Sequence, residues 1–79
     1  MAGLRALAEL SLILDPDERY GRYRVAVRIE GLLEAFAAGP WRHIRPGLRE
    51  PETTVERHLA SILRSGIATR WRGLYDLLS

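Results

Sequence analysis

Apolar positions along this chain recur mostly at helical spacing. In residues 2–14, Leu4, Leu7, Ala8 and Leu14 fall near one face of a helix, with Leu10 and Ile13 beside it. Asp15-Pro16-Asp17-Glu18 then reads as the start of a second helix. Asp15 serves as the cap, Pro16 suits the first helical position, and two acids lie at the positive end of the dipole. From Arg22 to Glu30 polar and apolar residues alternate without a break, which is the period of a half-buried strand. Val25, Ile29, Leu32, Leu33 and Phe36 nevertheless form a tight helical stripe that runs on to Gly39-Pro40. The only segment suited to pair with such a strand, Leu10–Leu14, would make a lone hairpin, and lone hairpins are marginal. A helix is the expectation, weakened or divided by Gly21 and Gly31. Residues 22–30 are the one stretch that fits a strand as well.

The second half is more heavily punctuated. Gly39-Pro40 is a firm stop, and Pro46-Gly47 and Pro51 leave room only for a short turn of helix over Trp41–Arg45. Thr53-Thr54-Val55-Glu56 has the capping-box pattern, with Thr53 as cap and Glu56 reaching back. The helix that it opens turns Val55, Leu59, Ile62 and Leu63 inward and ends near Ser65-Gly66. A last helix over about Thr69–Leu78 presents Trp71, Leu74 and the Leu77-Leu78 pair. The expected architecture is all-α: a single domain spanning 1–79, a compact bundle of five or six short helices.

Composition narrows what can hold such a bundle together. With 79 residues and no cysteine, neither disulfides nor thiolate metal sites are available. Apolar burial must supply the stability, and a 47% hydrophobic content is enough for one core. Chains this short are marginal alone, so self-association or a partner is a natural expectation. All twelve basic residues are arginine, and lysine, asparagine and glutamine are absent. Codon bias in a GC-rich genome explains this more simply than heat adaptation, which enriches lysine. Net charge is +2, low for a dedicated DNA-binding domain. Residues 1–40 carry five Arg and six acids (−1), and residues 41–79 carry seven Arg and four acids (+3). The molecule therefore has an acidic part and a basic part, suited to contacts between copies. Ala2–Leu14 is apolar but is interrupted by Arg5 and Glu9 and ends after thirteen residues, too short to span a bilayer. No small-residue cleavage site follows it, so a cytoplasmic protein is expected.

Candidate chemistry is sparse. A metal site would need His43 and His58 to converge with carboxylates such as Glu50 or Glu56. The simpler reading puts His43 on a surface turn and His58 on a helix flank. No serine sits in an elbow or beside a plausible base, and no glycine loop fits phosphate. Asp15, Asp17 and Glu18 are explained by helix capping. No catalytic residue, cofactor, metal or small-molecule substrate is expected. Trp41 and Trp71 are flanked by arginines, a pattern that can mean stacking on nucleic acid. The spacing of Trp71 from Leu74 and Leu78 makes it a core residue more simply, while Trp41 fits a core plug and an exposed anchor equally. Tyr20 and Tyr23, among Arg19, Arg22 and Arg24, fit ring packing better than an interaction surface.

Two resemblances bear on function. Thr54-Val55-Glu56-Arg57-His58-Leu59-Ala60-Ser61-Ile62-Leu63 resembles the recognition helix of LuxR-type helix-turn-helix regulators, and Ile44 and Leu48 fall at the spacing of core positions in the motif's first helix. The resemblance implies that Thr54, Arg57 and Ser61 face DNA. The chain departs from the motif at Pro46, which would break its first helix, and at Arg45, where the family keeps a small residue. More of the chain is similar to the small effector-associated, death-like adaptor domains of bacterial immune and signalling systems. That likeness rests on a leucine-rich first helix, then Ile13-Leu14-Asp15-Pro16-Asp17-Glu18-Arg19, a proline-broken middle, an amphipathic helix and a closing Trp71-Arg72-Gly73-Leu74-Tyr75-Asp76-Leu77-Leu78. It implies a six-helix bundle and homotypic assembly through charged faces. The expected function is protein interaction, including self-association. An acidic surface at Asp15, Asp17 and Glu18 would meet a basic one at Arg64, Arg70 and Arg72, with Trp41 as anchor. DNA binding through α-helical recognition is the alternative.

Overall fold

In a computed structural model describing residues 2–78, the chain turns its first corner on one carboxylate. Helix α1 (Ala2–Leu14) stops where Pro16 disfavours further helix. The Asp15 side chain, only 6% exposed, then accepts hydrogen bonds from the backbone N–H groups of Arg19 (2.8 Å), Tyr20 (3.2 Å) and Gly21 (3.2 Å). Arg19 and Tyr20 lie in the turn and Gly21 opens α2 (Gly21–Ala38), so Asp15 holds both the turn and the first N–H of a helix that begins six residues downstream of it. The start expected at Pro16 is thus corrected. Residues 15–20 form a turn, with Glu18 at φ 54 and Gly21 at φ 83, a left-handed geometry that glycine adopts without strain.

Helix α2 resolves the ambiguity of residues 22–30, which are helical throughout. Val25, Ala26, Ile29, Leu33 and Phe36 are buried, matching the expected stripe except that Leu32 is half-buried. The alternation in that stretch carries no strand because Leu10–Leu14, its candidate partner, is the end of α1. A single helical turn, α3 (Trp41–Ile44), follows Gly39-Pro40 and sends Ile44 into the core. Thr53 caps α4 (Thr54–Ser65) as expected, its Oγ1 accepting from Glu56 N at 3.1 Å. The return arm lands one residue early: Glu56 Oε1 accepts from Glu52 N at 2.9 Å. Helix α5 (Trp71–Leu78) closes the bundle and buries Leu74, but Leu77, expected inward, is exposed.

Two antiparallel pairs organise the five helices: α1 packs chiefly on α4, and α2 on α5. Gly3 meets Ser65 at one end of the first pair, and Glu9 meets His58 further along. Glu30 meets Trp71 and Arg22 meets Tyr75 in the second. The fully buried Leu7, Leu10, Ile29, Ile44, Ile62 and Leu74 come from all five helices and make one core. The radius of gyration, 11.9 Å, is that of a compact chain of this length, for which about 12 Å is expected. The buried face of α1 is Gly3, Ala6, Leu7 and Leu10. Leu4 and Ala8, expected on it, point to solvent.

The Gly3–Ser65 contact and the Asp15 corner are both testable by urea denaturation. A Cβ at residue 3 would overlap the Ser65 side chain, so Gly3→Ala is expected to cost about 1–3 kcal/mol by forcing α1 and α4 apart. Asp15→Ala, which strips three backbone donors of their acceptor, is expected to cost about 2–3 kcal/mol. Asp17→Ala, on the same turn but exposed, should change stability by less than about 0.5 kcal/mol.

Candidate protein-interaction surfaces

Of the three acids expected on one surface, two lie on it. Asp17 and Glu18 are exposed on the turn ahead of α2, with Glu18 beside Gly21, Arg22 and Leu78. Asp15 lies beneath that surface, its carboxylate committed to backbone donors, because the corner needs an acceptor there. The surrounding charge is mixed: Arg19 and Arg24 are exposed nearby, and the Arg22 guanidinium lies 4.8 Å from the Tyr75 ring centroid.

The basic residues gather around two tryptophans. Arg64 lies 5.6 Å over the Trp41 ring, beside Arg45 and Leu63, and Arg72 lies 5.4 Å over Trp71. Arg70 is almost fully exposed, with Nε 3.8 Å from Glu30 Oε2; a contact this open adds little stability. Trp41 is half-buried. Its ring leans on Phe36 at 6.0 Å, so it plugs the end of α2 while the arginine covers it from outside. Trp71 packs against the core and meets Tyr23 edge-on at 5.2 Å. Tyr23 and Tyr20 are both more than half exposed, and Tyr20 borders a groove of about 580 Å³ with Leu14, Arg24, Val27 and Arg28. Of the arginine–aromatic neighbours read from the sequence, Arg72 lies over Trp71, whereas Trp41 and Tyr75 are covered by arginines remote along the chain.

Sequence reasoning missed Glu30. Its Oε2 accepts from Trp71 N at 2.8 Å, capping α5 across 41 residues. No local side chain does this, because Arg70, at the cap position, has no acceptor to offer. The absence of a capping residue ahead of Trp71 was the one available signal.

Thr54, Arg57 and Ser61 share a face of α4 that is open at Thr54 and Arg57 and closes down at Ser61. There α1 lies alongside, and Arg5, Glu9, Arg57, His58 and Ser61 border a cleft of about 550 Å³. The helix that should precede α4 in a helix-turn-helix is reduced to the single turn α3. Ile44 is buried, but Leu48 is 80% exposed, its N–H bound to the His43 carbonyl at 2.9 Å. His43 is exposed on α3, far along the chain from half-buried His58, whose Nε2 is 3.6 Å from Glu9 Oε2. Glu56 is occupied by Arg49 (3.5 Å), and Glu50 is exposed. Among the described residues, no three His, Asp or Glu side chains gather where they would hold a metal ion. No described helix is long and apolar enough to cross a membrane. Compared with known proteins, the chain matches no family model, no curated protein and no solved structure.

Removing the long-range cap should register as a stability loss. Glu30→Ala is expected to lower the unfolding free energy by about 1 kcal/mol, read from the urea midpoint. Glu30→Gln, which keeps an oxygen acceptor, should lose less.

Proposed function

We propose that this chain is a non-catalytic protein-interaction module that assembles with copies of itself, acidic end to basic end. The observation that carries the reading is the separation along α2 of one exposed acidic pair from a group of exposed arginines, although Arg19, Arg22 and Arg24 stand close to the acids. Asp17 and Glu18 lie at its N-terminal mouth, whereas Arg70 reaches it at Glu30 and Arg64 covers the Trp41 ring that leans on Phe36. At 1.5 Å per residue, Glu30 and Phe36 stand roughly 14 and 22 Å from that mouth, in a molecule 37 Å long. Acidic and basic patches at different places on one surface favour heterologous contacts, which close into rings or continue as open chains. Arg64 and Arg72, with guanidinium carbons 5.6 and 5.4 Å from the indole centroids, offer a cationic surface suited to carboxylates. The resemblance to effector-associated adaptor domains implies the same mode of action, and with it a cytoplasmic adaptor role in bacterial signalling or immunity. Those domains are six-helix bundles, and five helices are present among the described residues here.

Sedimentation at low salt is expected to show a mass that grows with protein concentration and falls as salt screens the contact. Arg70→Glu and Asp17→Arg should each weaken assembly, and mixing the two variants should restore it. A monomer at every concentration and salt would sink the proposal. Titration with duplex DNA separates the alternative: a salt-sensitive shift lost in Arg57→Ala would favour nucleic acid over protein as the partner.

A further inference from the structure

Helix α1 is apolar on the wrong side as well as the right one. Of its thirteen residues, only Arg5, Glu9 and Ser11 have polar side chains. One face, Gly3, Ala6, Leu7 and Leu10, is buried against the bundle. Leu4, Ala8 and Leu12, spaced four apart and so aligned along the helix, are all exposed, Leu4 at 38% and Leu12 at 58%. A surface helix ordinarily turns a polar face outward, and one that is apolar all round is normally covered. We infer that the Leu4–Ala8–Leu12 face of α1 is a symmetric dimer interface, covered by the same face of a second copy of this chain running antiparallel to it.

The charges beside the stripe identify the occupant. Arg5 and Glu9 are both exposed, lie one turn apart and flank the stripe on the same side. When two copies cross antiparallel at Ala8, Leu4 of each meets Leu12 of the other. Flanks on the same side then face each other: at 1.5 Å per residue, Arg5 of one copy comes within about 3 Å along the axis of Glu9 of the other, and the reverse, two attractions set against one Glu9–Glu9 approach of the same span. Such a two-fold contact is self-complementary, which neither charge would be against an arbitrary apolar partner. Arg5 has no ion-pair partner among the described residues, and Glu9, about half exposed, keeps its free side beyond the His58 contact. Alanine at the crossing point lets the two helices approach closely, while the leucines on either side fill the seam. This inference rests on the reading that the chain self-associates, but on a different surface from the charged ends.

The absence of native cysteine makes a direct test available. Ala8→Cys under mild oxidation should give a covalent dimer, because the crossing brings the two introduced thiols within disulfide reach, Cα atoms under about 7 Å apart. Ala35→Cys, on the exposed side of α2, should not. In sedimentation equilibrium, Leu12→Glu should weaken the dimer by roughly thirtyfold or more while circular dichroism stays unchanged. Arg5→Glu alone should weaken it, and Arg5→Glu with Glu9→Arg should restore it. A dimer that persists in Leu12→Glu but is lost in Arg70→Glu overturns the α1 interface and leaves the charged-end reading standing. A salt-resistant dimer lost in Leu12→Glu and untouched by Arg70→Glu supports the α1 interface and removes the other. A wild-type chain that stays monomeric at every concentration overturns both.

Discussion

The bundle depends on a buried carboxylate that stands at the first corner of the chain. Asp15 holds three backbone N–H groups at the mouth of α2, and this decides where α2 begins. Once the first residue of a helix is placed, the phase of every side chain on it follows at 100° per residue. That phase turns Val25, Ile29, Leu33 and Phe36 inward together and sets Glu30 at the edge of the core, where it meets the start of α5. Glu30 then supplies the acceptor that α5 lacks. Two carboxylates, neither adjacent to the helix end it serves, thus determine the geometry of the second antiparallel pair. An acceptor within reach of several otherwise unpaired donors is worth more than one matched to a single donor, because each orphan N–H carries its own desolvation penalty.

The first antiparallel pair is governed by sterics instead. Helices α1 and α4 approach so closely at Gly3 and Ser65 that no β-carbon fits between them. Close approach brings Leu7 and Leu10 against the α4 side of the core, and it leaves the other half of an unusually apolar helix facing out. A chain of this size has little interior to spare, and a helix able to bury two faces can use one for the core and one for a partner.

Arginine serves several ends in this molecule. Arg22, Arg64 and Arg72 each lie over an aromatic ring, Tyr75, Trp41 and Trp71 respectively. The flat guanidinium covers a ring that is only half-buried and still keeps its charge in water, which the compact lysine ammonium does less well. Part of the basic charge is therefore structural: Arg72 covers its neighbour in sequence, while Arg22 and Arg64 cover rings that only the fold brings to them.

Much of the helix inventory was legible in the amino-acid order, because local chemistry writes it there. Gly39-Pro40, Thr53 and Gly66 mark helix ends by backbone restriction and by side chains that reach only a few residues. The stripe from Val25 to Phe36 recurs at a period that only a helix satisfies over its full length. Three things were not legible, each for the same reason. The start of α2, the outward face of α1 and the cap of α5 all depend on groups brought close by packing rather than by sequence. Asp15 looked like a local cap because capping chemistry is the same whether the donors lie three residues away or six. Leu4 and Ala8 looked buried because α1 is apolar on both sides, and periodicity cannot rank two equally apolar faces. Glu30 itself carried no local signal, since its partner is 41 residues on, and the hint lay at Arg70, which cannot cap the helix it precedes. The sequence by itself determined the helices and the ingredients of a single core; only the tertiary structure decided which faces meet, because that choice rests on contacts between residues remote along the chain.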